Sequence, residues 1–331
     1  GHEEELKEEV QKIARKCKGA IISMDYQEKN YAFENLSIPK HTKWLCVAFT
    51  SKLQIADIPR NGDNYSQVLG LTSSLSESFI LKQKLRGPSW ITISNPKKIN
   101  QISSVPILAI PNISYINTIP LNQQPPHIPY LNLCTMAMRT LHNEKNNENE
   151  IFLISLRIHY KWNIETFQQS GEKQMVKSIT FACSPSTTSL STHYCMNVSK
   201  RDDIKICKNE AELLSSFVEI IDKYDIDLIS SFGLTSFDGP VLIERMKKTN
   251  LRNWWKLGRL QRLNPKGSKA NFLTVISGRI PVDLRISCSE FLRVKDTNFS
   301  TIVKEQLNED RQQIDHFSFQ DKLSDKQSLE N

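Results

Sequence analysis

Residues Asp225–Met246 read DIDLISSFGLTSFDGPVLIERM, and the fold depends on how this stretch is parsed. Ile226 to Ile229 is a short apolar run of the kind that forms a buried strand. A Ser-Ser-Phe-Gly turn follows and ends at Gly233. Beyond it Pro240, Val241, Leu242, Ile243 and Met246 fall at helical spacing, with Pro240 where a first helical turn tolerates it. The stretch is therefore strand, tight loop, helix, with one carboxylate, Asp238, at the helix start.

Upstream, Glu210–Lys223 is an amphipathic helix whose apolar stripe is Leu213, Leu214, Phe217, Ile220 and Ile221. Before that, Leu131–Leu141, Glu150–Tyr160 and Lys177–Ser184 read as strands of an antiparallel meander. A polar hairpin loop, Asn143–Asn149, joins the first two. Downstream, Gly278–Leu284 reads as a strand and Cys288–Lys295 as a helix, and Asn298 is placed to cap a helix from Ser300 to Leu307. The tail from Asn308 is polar with few apolar anchors and is expected to be partly disordered. Pro120–Pro129, with four prolines and two glutamines, reads as a linker. Ahead of it, Glu3–Lys18 is a charged helix with Leu6, Val10, Ile13 and Ala14 on one face. Trp44–Thr50, Ser78–Leu85, Trp90–Ser94 and Pro106–Tyr115 read as strands. The expected organisation is a β-rich domain over 1–125 and a mixed α/β domain over 126–331.

Three strands, helix, strand, helix is the order of the ribonuclease-H-like 3′–5′ exonuclease fold, and the Asp225–Met246 stretch resembles the second exonuclease motif of the B-family DNA polymerases. That motif is a strand, loop and helix ending in Asn-x-x-x-Phe-Asp. Here Phe237-Asp238 is kept and Gly233 stands at the Asn. Within the family, four further segments resemble the alpha class. They are Glu28–Glu34 (EKNYAFE), Gly87–Trp90 (GPSW), Trp255–Leu260 (WKLGRL), and Gly278-Arg279-Ile280 running on to Ser289–Leu292 (SEFL), in that order along the chain.

An editing exonuclease of this fold holds two Mg²⁺ ions with several carboxylates: an Asp-x-Glu pair on the first strand, one acid at the second motif and at least one from a later helix. In the register of the resemblance, Ala137 stands at the first-strand Asp and Arg139 at the Glu. A methyl group cannot bind a metal and a guanidinium repels it. The resemblance therefore implies lost acids at Ala137 and Arg139, Asp238 as a vestigial position better read as a solvated helix cap, and no metal or catalytic residue in this region. Asn163-Ile164-Glu165-Thr166 imitates Asp-Ile-Glu-Thr, but it ends the second candidate strand instead of lying on the first, and a turn is the plainer reading. The third motif, Tyr-x-x-x-Asp, and the palm motifs Asp-Thr-Asp and Ser-Leu-Tyr-Pro are not found. With Gly1-His2 resembling a tag remnant, the chain is expected to be a piece of a longer intracellular protein.

The remaining signals concern binding. The net charge of +7 suits a polyanionic partner without demanding one. Arg245 to Lys269 carries nine basic residues with no acid between them, and Trp254 and Trp255 sit among these. From this run Lys256, Arg259, Arg262, Lys266 and Lys269 are the candidate phosphate contacts. The adjacency of the two tryptophans predicts one facing in and one out. Lys82, Lys84 and Arg86 alternate on the predicted strand before Gly87 and would share a face. Seven scattered cysteines, with no Cys-x-x-Cys pair, argue against a disulfide framework or a zinc site and for a reducing compartment. No apolar run reaches membrane-spanning length, so no membrane contact is expected.

What the resemblance implies for the parent protein is a nuclear, replicative DNA-directed polymerase that extends RNA primers made by primase. It would use Mg²⁺ in a palm domain and work with a DNA template, an RNA/DNA primer, primase subunits and an accessory B subunit. This region would frame the enzyme and guide template, without a cofactor of its own. The alternatives are an active proofreading region of another B-family polymerase, which would need Asp238 and Glu165 to meet, and a free-standing nucleic-acid-binding module.

Overall fold

The structure is a computed structural model and describes residues 2–50, 57–85, 87–96, 115–165, 175–186, 201–259, 271–292 and 296–311. They form two compact units. The first runs to Asn95 and includes the stretch that ends at Gln124, and the second continues from Pro125.

In the first unit, helix α1 (His2–Lys16) opens with Glu3, Glu4 and Glu5 and closes with Arg15 and Lys16, the charge order that suits the helix dipole. Strand β1 (Ile21–Asn30) pairs antiparallel with β2 (His41–Phe49). β1 is a strand that the hydropathy pattern hides, because most of its residues on both faces are exposed. The strand expected at Ser78–Leu85 is instead helix α2 (Leu75–Lys82). The reason lies just upstream. Ser74 Oγ accepts from Glu77 N at 3.1 Å, and the Glu77 carboxylate accepts from Ser74 N, which makes a reciprocal capping box. Lys82 therefore ends a helix and Lys84 follows at a positive φ of 54°, so the two do not share a strand face. Arg86 and most of the expected Pro106–Tyr115 strand lie outside the described residues. β3 (Ile91–Ile93) pairs antiparallel with β4 (Ile116–Thr118).

The second unit is built on a six-stranded mixed sheet in the order β10-β9-β5-β6-β7-β8. β5 (Leu131–Asn143), β6 (Glu148–Trp162) and β7 (Val176–Ala182) are the antiparallel meander, and the short β8 (Ile204–Ile206), not evident in the sequence, adds parallel to β7. After helix α3 (Glu210–Lys223), strand β9 (Leu228–Ser231) returns parallel to β5. Helices α4 (Gly239–Lys248) and α5 (Phe272–Val275) lead to β10 (Ile280–Asp283), parallel to β9. Helix α6 (Leu284–Phe291) begins earlier than the expected Cys288, because Asp283 ends β10 and caps the helix at once through Arg285 N, 3.0 Å away. Asn298 caps the last helix, α7 (Phe299–Leu307), through Ser300 N.

Alternation decides which sheet face is buried. Cys134, Met136 and Met138 of β5 and Ile154, Leu156 and Ile158 of β6 enter the core. There they meet Leu213, Leu214, Phe217 and Ile221 of α3 and Leu242 and Met246 of α4. Burying each large apolar side chain contributes about 1.5–3 kcal/mol, so this layer of helices on one sheet face holds the unit together. The intervening residues of β5, Thr135, Ala137 and Arg139, stand exposed on the other face.

Candidate functional site

Thr135 of β5 lies opposite Ser230 of β9, with their hydroxyls 3.5 Å apart. The chain leaves β9 at Ser231, turns at Gly233 and makes one π-helical turn, Leu234–Asp238, before α4. Gly233 has a φ of 92°. Glycine enters this left-handed region freely and Asn tolerates it better than most residues, a conformational reason why the two exchange at this motif position. Gly239 is required by close approach, since a Cβ there would lie 2.5 Å from the Phe272 ring.

Asp238 is not a solvated cap. Its backbone is already helical, with φ −58° and ψ −48°, and its side chain makes no capping bond. Instead the carboxylate accepts from Ser231 Oγ at 2.6 Å. Burial pushes the Asp238 carboxyl up and the charge of Asp283 adds to that, while the Ser231 hydrogen bond and the Arg139 guanidinium act the other way. An acid whose folded pKa is raised is harder to ionise in the fold than in the unfolded chain. Stability is therefore lost as pH rises from the unfolded pKa through the folded one. Asp238→Asn is expected to stabilise the fold at pH 7 by on the order of 1 kcal/mol, raising the thermal midpoint there, and to change little at pH 3. Melts at the two pH values check this, and a lower midpoint at pH 7 overturns it.

Asp283, which the sequence analysis passed over, is the second acid at this turn and is 6% exposed. Oδ1 accepts from Gly233 N at 3.0 Å and Arg285 N at 3.0 Å, and Oδ2 from Thr235 N at 2.8 Å and Thr235 Oγ1 at 2.7 Å. These hydrogen bonds outweigh burial and hold the carboxyl below the usual Asp range. The signal available in the sequence was an Asp closing one apolar strand and opening a helix.

These residues do not fit a pair of divalent ions. Ala137 offers no donor and Arg139 offers a cation. Asp238 is bonded to Ser231, and Asp283 has its oxygen sites filled by four donors. Among the described residues, no group of three His, Cys, Asp or Glu side chains is arranged to hold a metal. Glu165 does not join them. It follows β6 past Trp162, which pairs with Leu131, whereas the Asp238 turn hangs from β9 where Ser230 meets Thr135. Four residues of strand, about 13 Å, separate those levels. Asn163 Oδ1 accepts from Glu165 N at 2.9 Å, so this is an Asx turn after a strand.

The basic run also has a different setting in space from the one it has along the chain. Arg245 is buried, with Nη1 2.8 Å from Glu148 and Nε 2.8 Å from Glu210, and Lys248 pairs with Glu148. Lys256 Nζ lies 2.9 Å from Asp222. Arg259 Nη2 lies 2.9 Å from Asp225 and 2.6 Å from Asp227. The acids absent from the run come from β6, α3 and the start of β9, so the head groups of Lys256 and Arg259 are engaged inside the fold. Arg262, Lys266 and Lys269 lie outside the described residues. Trp254 is buried in the core and Trp255 packs partly buried against it, with Lys256 Nζ 5.9 Å from its ring centroid.

With this geometry in place, similarity to known proteins decides the family. Residues 66–302 match the DNA polymerase family B, exonuclease domain. The chain belongs to that family. Among curated relatives, the DNA polymerase alpha catalytic subunit of Xenopus laevis is 27% identical over 90% of this chain and 21% of its own length. That of Mus musculus is 27% identical over 91% and 20%, and that of Arabidopsis thaliana 24% over 93% and 22%. The chain thus spans about a fifth of the length of these relatives. Ala137 and Arg139 stand on β5, next to β9, from which the turn bearing Asp238 runs.

Proposed function

We propose that this chain is the N-terminal and exonuclease-like region of a DNA polymerase alpha catalytic subunit, and that it serves as a frame and template guide without editing. The observation that carries this reading is the exposed face of β5, where Ala137 and Arg139 stand beside a carboxylate already hydrogen-bonded to Ser231. The relatives, all named as alpha catalytic subunits, support the parentage. In this reading the whole protein extends RNA primers made by primase on a DNA template, in the nucleus, alongside primase and an accessory B subunit. Its Mg²⁺ ions and deoxynucleotides belong to a palm domain beyond this region. Among the described residues no helix is long and apolar enough to cross a membrane.

The test is a degradation assay on a 3′-labelled single strand with Mg²⁺ or Mn²⁺. No metal-dependent shortening is expected from the chain or from Asp238→Ala. Shortening that needs metal and disappears in Asp238→Ala would overturn the reading.

A further inference from the structure

Two free cysteines stand side by side at the β8 edge of the six-stranded sheet. β7 and β8 run parallel in the register Thr180↔Ile204, Phe181↔Lys205 and Ala182↔Ile206. One step further along both strands brings Cys183 opposite Cys207. The ladder reaches that point, because Cys207 N donates to Ala182 O at 2.7 Å. Neighbouring strands lie about 4.8 Å apart, within the roughly 4.4–6.8 Å that a disulfide requires between its α-carbons. Alternation settles which way the two side chains face. Ile179, Phe181 and Cys183 of β7 are buried on the core side. Lys205, opposite Phe181, donates to Ser216 Oγ of α3 at 2.8 Å, so Cys207, two residues on, turns toward the same helix layer. Cys183 and Cys207 are 1% and 3% exposed in one core cluster, and both are free thiols.

We propose that Cys183 and Cys207 form a reversible dithiol–disulfide site, closed by a low-molecular-weight disulfide such as oxidised glutathione, and that closure ties edge strand β8 to the meander. The Cys207 thiolate attacks one sulfur of the oxidant and expels a small thiolate, and Cys183 then displaces the second from the mixed disulfide. Two protein thiols and one small disulfide become one protein disulfide and two small thiols, which take up the two protons released. Access comes from the sheet edge. β8 is three residues long and, among the described residues, pairs only with β7. Lifting so short an edge strand requires less than global unfolding. While β8 is seated the thiols are inert, because burial pushes Cys183 up to about 12 and raises Cys207 as well. In reducing surroundings the pair therefore rests as thiols. Closure also fixes the entry to α3, since Asn209, two residues after Cys207, caps that helix through Glu212 N at 2.9 Å. β6 separates this pair from β5, so its chemistry is independent of whether the turn at Asp238 binds a metal.

The experiment is disulfide mapping of the full 331-residue chain. The protein is held in oxidised glutathione, its remaining thiols are alkylated, and peptides cut without reductant are read by mass spectrometry. The expected main cross-link joins Cys183 to Cys207, disappears with dithiothreitol, and forms faster in urea well below the unfolding transition. The linked chain is expected to melt about 5 °C above the reduced one. Cys207→Ala is expected to abolish both the link and that difference, whereas Cys46→Ala, on β2 of the first unit, leaves both in place. Mapping of the unsubstituted chain decides the matter even where Cys207→Ala folds poorly. The proposal is overturned if both cysteines are recovered alkylated, if each keeps a stable glutathione adduct, or if either links mainly to Cys195 or another cysteine. It is equally overturned if the link forms only on global unfolding, or if the linked chain melts no higher than the reduced one.

Discussion

Arg279→Met is expected to destabilise the second unit by about 3–5 kcal/mol, because it removes one side of a buried charged lock. The Arg279 side chain is 0% exposed. Its Nε donates to Leu257 O at 3.1 Å, Nη1 to Ile226 O, and Nη2 to Lys256 O at 3.5 Å, with Asp225 at 3.4 Å. Burial lowers its pKa and the nearby Arg259 charge adds to this, while Asp225 offsets only part of it. Methionine fills much of the volume but leaves buried carbonyls of Ile226 and Leu257 without a donor, and each orphaned group costs about 1–3 kcal/mol. For a unit of this size the loss corresponds to a midpoint lower by roughly 10 °C. Arg279→Lys is expected to recover only part, since one ammonium cannot reach three carbonyls that diverge from a planar fork. A midpoint within about 2 °C of wild type for Arg279→Met would show that the lock contributes little.

That lock joins segments that carry the family resemblance. WKLGR, GRI and the opening of the Asp225 stretch are distant in sequence, yet they bond to one another. Arg259 reaches Asp225, Asp227 and the Gly278 carbonyl, and Arg279 reaches back to Lys256, Leu257 and Ile226. Gly258 has no room for a side chain, since a Cβ would lie 2.2 Å from Val275 O. These residues hold β9 and β10 side by side, and thereby fix the turn that bears Asp238. They are legible in sequence as a signature, but their purpose is not. A run of cations reads as a nucleic-acid surface until the fold supplies Asp222, Asp225, Glu148 and Glu210 from elsewhere.

The same distinction runs through the rest of the molecule. The meander, α3, β9 and α4 were readable because each buries one periodic apolar face against the others, and periodicity is a local property. β5 was readable as a strand, and its exposed face, with Ala137 and Arg139, came from the structure. The Ser78–Leu85 stretch was misread because its apolar run was weighed without the Ser74–Glu77 capping box beside it. The role of Asp238 was misread for another reason. An Asp ahead of a helix is ordinarily a cap, and only the π-helical turn, which brings its backbone into the helical region, sends its carboxylate to Ser231 instead. Asp283 drew no notice because it takes its meaning from cross-loop partners 48 and 50 residues away in sequence.

Asp283→Ala is expected to cost about 3 kcal/mol or more and to loosen the turn from Gly233 to Asp238. One carboxylate accepts three backbone N–H groups and a hydroxyl there, and truncation leaves Gly233 N and Thr235 N without their acceptor. Asp283→Asn is the sharper test, because it keeps the shape, retains a single carbonyl oxygen and turns an amide N–H₂ toward donors. The pH dependence then separates Asp283 from Asp238. Asp283 has a depressed folded pKa, so its contribution is present above the unfolded Asp value of about 3.9 and is lost as pH falls through the lower folded value. Asp238 has a raised one and acts with the opposite sign, costing stability as pH rises above the unfolded value. Denaturant unfolding followed from pH 2 to pH 7 should show Asp283→Asn losing most at neutral pH and converging on wild type in acid, while Asp238→Asn gains at neutral pH. If both variants moved stability in the same direction at pH 7, the two carboxylates would not be divided between a structural fastener and a stranded charge, and the turn would have to be reconsidered as a place where both acids face a common cation.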